Sequence, residues 1–147
     1  MHTHDIVGAI IGTVFVAAAI VLSRKMRIEH WVWSASLILL PLIYMGFGVL
    51  AADLNAIKLE LLYGVPFILA GLMMLTTNIR YSSYAVAAFW LMHASYDFWH
   101  EAFFVNPGVW NWYPVACAVV DFVVFAYLVW MAGRLPQGKL EFANEVT

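Results

Sequence analysis

The sequence predicts an all-α integral membrane helical bundle with about five transmembrane helices, its N-terminus outside and its C-terminus inside. Three observations predict it. Hydrophobic residues make up 65% of the 147-residue chain and charged residues only 11%, less than half the charged share of an ordinary soluble domain. Five apolar segments of about 17 to 23 residues follow one another, each long enough for a hydrocarbon core about 30 Å thick. Period-2 alternation is absent, which argues against a transmembrane barrel. A soluble chain of this size has too little interior for so much apolar area, whereas a bundle in lipid keeps its outer surface apolar as well.

The first segment, 6–22, is preceded by MHTHD rather than by the cationic stretch of a signal peptide, so it is read as a mature helix. Its Gly8 and Gly12 form a small-xxx-small pair that permits close helix contact. The second segment is 31–52 and the third 59–77; Pro41 and Pro66 lie inside them and are expected to kink them. The third is the weakest span, with Glu60 and Pro66 near its start. The fourth, 82–104, ends at the turn signal Asn106-Pro107-Gly108. The fifth, 113–133, accommodates Pro114 in its first turn. Residues 1–135 read as one transmembrane domain and 136–147 as a short cytoplasmic tail.

Charge sets the orientation. With five crossings, Arg24, Lys25, Arg27, Arg80, Arg134 and Lys139 share one side and Lys58 alone lies on the other, which puts the N-terminus outside. Trp31, Trp33, Tyr81, Tyr84 and the aromatics of 103–113 are expected near headgroup depth. The net charge of -2 gives no reason to expect a nucleic-acid partner. The single cysteine, Cys117, excludes an intrachain disulfide and leaves the redox compartment open. Membrane lipids are the expected partners, a homo-oligomer is left open, and the expected location is the inner (cytoplasmic) membrane of a bacterium.

The fourth segment carries the chemistry. At about 100° per residue, His93, Asp97 and His100 fall within an arc of about 60°, with Glu101 beside it. Ionisable groups so placed do not face lipid; they turn to the bundle interior, an aqueous cavity or the interface. Counting about 1.5 Å per residue from the outer helix ends puts Asp97 roughly 10 Å, His93 roughly 16 Å and Asp121 roughly 12 Å deep. Asp53, Glu60, His2, His4, Asp5, Tyr44 and Tyr63 collect on the same side, with His2 and His4 read as a mobile terminus. The expectation is an outward-facing pocket in which His93, Asp97, His100 and Asp121 are candidate ligands for a divalent metal such as zinc or iron. Glu60 and Glu101 are the candidate catalytic bases. A structural hydrogen-bond network and proton handling without metal remain open beside it.

The His-x-x-x-Asp-x-x-His stretch over 93–101 resembles an element of small uncharacterised bacterial multi-pass membrane proteins. The resemblance covers the fourth helix and Asp121 and implies no particular activity. His100-Glu101 lacks the second histidine of a zinc-protease helix, since Phe104 stands there, and phosphate-loop and serine-elbow motifs are absent. The main functional expectation is a metal-dependent membrane enzyme acting on a lipid or another apolar substrate. The alternatives are a small cation- or proton-coupled transporter or ion-binding protein, and a structural membrane subunit.

Overall fold

The computed structural model describes residues 2–77 and 84–134. Arg80, Tyr81, Lys139 and the tail 136–147 lie outside the described residues. Five helices follow in order: α1 Thr3–Met26, α2 Glu29–Leu50, α3 Leu54–Thr76, α4 Tyr84–Phe103 and α5 Tyr113–Arg134. Local chemistry sets their ends. Asp53 caps α3, its Oδ1 accepting from the backbone N–H groups of Asn55 at 2.9 Å and Ala56 at 3.0 Å, which satisfies donors a helix start leaves free. Arg27 closes α1 in the left-handed region at φ 58°, and the Ile28 N–H reaches back to the Ser23 carbonyl, the six-to-one bond of a Schellman stop. α2 and α3 run unbroken through Pro41 and Pro66.

Four helices are long and apolar enough to cross a membrane: α1, α2 over Trp31–Leu50, α3 and α5. α4 is 20 residues long but is not among them, because histidines and acids interrupt its apolar run. The molecule is an all-α bundle of membrane-protein character. Its outer surface is apolar: Val14, Phe15, Leu50, Leu62 and Phe98 are among its exposed side chains. Trp33, expected at the interface, is instead buried, its ring edge-on to that of Trp90. The Trp90 indole N–H donates to its carbonyl at 3.2 Å.

Helix α5 packs between α1 and α4, while α2 pairs with α3; the two groups touch more lightly. Small residues allow the close pairs. A Cβ on Gly8 would lie 2.3 Å from the Trp112 carbonyl oxygen, and one on Gly12 2.4 Å from that of Ala116. Gly64 and Gly71 seat α3 against Pro41, Ser34 and Ile38 of α2 in the same manner. Between the two groups the side chains are large, with Leu37, Tyr44, Trp90, Val124 and Leu128 all buried. One end of the bundle gathers His2, the α2–α3 turn and the 104–112 loop, where Gly108 lies against the Phe47 backbone. The opposite end carries Arg24, Lys25, Arg27 and Arg134. There Tyr127 donates a hydrogen bond to Glu29 and the Arg134 guanidinium sits 4.2 Å above the Trp130 ring.

Candidate metal centre

The polar residues of α4 recur at i, i+4 and i+7, so the face that meets the other helices carries His93, Asp97 and His100. All three are buried, while their neighbours Phe98 and Trp99 point outward. From α5, Asp121 enters the same interior at 0% exposure. The His93 Nδ1 lies 2.6 Å from Asp121 Oδ2 and 3.4 Å from Asp97 Oδ2. The two aspartates therefore meet on one imidazole ring, which ties α4 to α5. Phe67 of α3 closes the other side, its ring centroid 4.7 Å from that of His93. The Tyr44 hydroxyl of α2 and the Cys117 thiol of α5 lie close to the Asp97 carboxylate.

His93, Asp97 and Asp121 each offer a ligand atom, all within 4.8 Å of one another. Zinc ligands of these types sit about 2.0 to 2.2 Å from the ion in a tetrahedral site, so two of them stand about 3.3 to 3.6 Å apart. The widest pair would draw in by about 1 Å to close around an ion. The group is capable of coordinating a divalent metal ion. Among the described residues, His93 Nε2, both Asp97 oxygens and Asp121 Oδ1 are buried without a hydrogen-bond partner. Buried polar atoms left in this state are costly, and a cation accepted by these carboxylates and the imidazole would remove that cost.

The other expected residues are placed differently. His100 lies seven residues beyond His93, about 10 Å further along the helix, and joins a second cluster. Its Nε2 is 2.9 Å from Glu60 Oε1. Glu60 also accepts from the Tyr96 hydroxyl at 2.8 Å and from Asn106 Nδ2 at 2.8 Å. The Asn106 amide donates as well to the Tyr44 carbonyl at 3.1 Å, and the Tyr44 ring stacks on His100 at 4.8 Å. Glu101 is exposed, about 100° around the helix from His100.

The outward-facing pocket serving a metal-dependent enzyme on a lipid or apolar substrate is thereby corrected. Glu60, His93, Asp97, His100 and Asp121 are each at most 2% exposed, and two members of the three-residue group, His93 and Asp97, stand on α4, which is not among the four apolar crossing helices. Counting along the helix axis gives a residue's height and not which neighbour covers it. His2 and His4, read as a mobile terminus, stand at the start of α1, where the His2 backbone N–H donates to Asp5 Oδ2 at 2.7 Å.

Asn106 was legible only as a turn residue. Nothing in its local sequence marks an amide that reaches α2 and α3 across the fold. Tyr44 and Tyr96 were equally hidden as network members, although their phenols inside apolar segments were a signal that a buried partner exists. Neither a protein-family model, nor a curated protein, nor a solved structure matches this chain.

Proposed function

We propose that the chain is an integral membrane protein that binds a divalent cation inside its helical bundle, a member of the ion-binding or cation-translocating class. The observation that carries this reading is the convergence of His93, Asp97 and Asp121 within 4.8 Å, buried and with polar atoms left unpaired. Intramembrane acids and histidines are expensive, and their burial together is the usual mark of an ion or proton site. In this reading α4 is the fifth crossing. Too polar to cross alone, it turns its polar face inward and presents Leu91, Met92, Phe98 and Trp99 outward. The end bearing Arg24, Lys25, Arg27 and Arg134 faces the cytoplasm and the end bearing Lys58 faces out, as the positive-inside rule directs.

A structural reading has one observation in its favour: the 2.6 Å His93–Asp121 contact ties α4 to α5 without any ion. Metal analysis separates the two. Protein purified without a histidine tag and exposed to zinc, manganese or iron is expected to hold one ion per chain. Asp97→Asn and His93→Ala should stay folded and lose at least tenfold in affinity, about the least that even outer-shell changes cost. The short His93–Asp121 contact requires a proton between its partners, and a dication taking those atoms displaces it. Affinity should therefore rise with pH and uptake should release protons. Absence of bound metal after all three exposures overturns the cation reading and leaves the structural one.

A further inference from the structure

A groove of about 910 Å³ runs between α4 and α5 on the outer surface of the bundle, with the start of α1 at one end. Its body is apolar, lined by Leu91, Phe98, Val119 and Phe122, and Ala94 and Ala118 make room along its length. Its mouth is polar and lies at the bundle end that holds the 104–112 loop. His2, His4, Asp5, Glu101 and Asn111 gather there. This profile, apolar at hydrocarbon depth and polar at the interface, matches a lipid rather than a soluble ligand, and the volume lies within the usual range for small-molecule sites.

The mouth also has a charge preference. Among the described residues no Lys or Arg lines the groove, while the carboxylates of Asp5 and Glu101 stand at its mouth and Asp97 stands in its wall. Asp5 is engaged by the His2 backbone N–H and by His4 Nε2 at 3.3 Å. Glu101 is exposed and makes no hydrogen bond or ion pair among the described residues. An anionic head would meet two like charges here. A head carrying an ammonium group would meet a free carboxylate, with imidazoles beside it for its phosphate.

We propose that this groove is a binding site for a zwitterionic phospholipid with an ammonium head, of the phosphoethanolamine class. Its head sits at Glu101, Asp5, His2 and His4, and one acyl chain lies between α4 and α5. Asp97 forms part of the groove wall while being only 1% exposed. The acyl chain thus lies over the side of the bundle next to the His93–Asp97–Asp121 group. The proposal rests on the membrane embedding of the chain and not on cation binding, so either can fail without the other.

The test is native mass spectrometry of the full chain released from nanodiscs of equimolar dioleoyl phosphatidylethanolamine and dioleoyl phosphatidylglycerol. One retained lipid per chain is expected, with phosphatidylethanolamine preferred about fivefold, the scale of an exposed charge pair. Glu101→Gln should bring the preference to within about twofold while leaving the chain folded, because its side chain makes no hydrogen bond or ion pair among the described residues. Ala118→Phe should fill the groove and abolish retention of both lipids. Equal retention of the two lipids by the parent, or an unchanged preference in Glu101→Gln, overturns the proposal even if Ala118→Phe does not fold.

Discussion

At the scale of single residues, the interior is organised by which polar atoms find partners. Glu60 is the fully engaged acid, with three donors on its carboxylate from α4 and the 104–112 loop. Asp97 is the opposite, with two buried oxygens and no hydrogen bond. The first is an anchor and the second is the group with capacity to spare for an ion. Their substitutions should separate accordingly. Glu60→Ala strips the Tyr96 hydroxyl and His100 Nε2 of their acceptor, while Asn106 keeps the Tyr44 carbonyl. An orphaned buried donor costs about 1–3 kcal/mol. Glu60→Ala should therefore melt at a clearly lower temperature in detergent than the parent, and Glu60→Gln, which retains an acceptor oxygen, should fall between them. A melt in which the alanine variant matches the parent would show that the network carries no stability.

At the scale of elements, α1 meets α5 and α2 meets α3 through backbone proximity. Gly8 and Gly12 bring α1 against the Trp112–Ala116 turn of α5, closer than any side chain allows. The small-xxx-small spacing was visible in the sequence; its partner was not, since several helices carry alanine or glycine on some face. Gly12→Leu forces atoms into the Ala116 carbonyl, and overpacking of this kind costs about 1–3 kcal/mol. Its folded yield in detergent should drop well below that of the parent. Gly46 is the internal control, because a Cβ there meets nothing within 4 Å. Gly46→Ala should fold at least as well as the parent, since alanine is the better helix former by up to about 1 kcal/mol. Equal yields for Gly12→Leu and Gly46→Ala would contradict the close α1–α5 contact. Size-exclusion chromatography of monodisperse protein measures both.

At the scale of the whole molecule, the two ends differ in charge and the proposed orientation follows from that difference. It predicts that Lys58→Cys reacts with an impermeant maleimide added to intact cells, in a Cys117→Ala background, while Arg27→Cys reacts only after the membrane is opened. The reverse labelling pattern would invert the bundle. Equal labelling at both positions before opening would place both ends on one side and remove a crossing, with α4 the first helix in question.

The sequence by itself determined the class of the molecule, the approximate extent of all five helices and the set of unusual polar residues. These follow from local quantities: composition, segment length and the 100° step of the helix, which put His93, Asp97 and His100 on one inward face. It also brought Asp97 and Asp121 to similar depth, because a short loop joins their helices. Tertiary structure alone decided how the set divides. Three polar residues on one face of a helix are spread over about 10 Å along its axis, so each meets whatever a neighbouring helix offers at its own height. Asp121 of α5 meets His93, whereas Glu60 of α3 meets His100. Whether the cluster faces outward or is enclosed depends on where α2 and α3 lie against α4, and no local pattern encodes that placement. It comes from large side chains such as Leu37, Tyr44 and Trp90 that share one core between helices far apart in the chain.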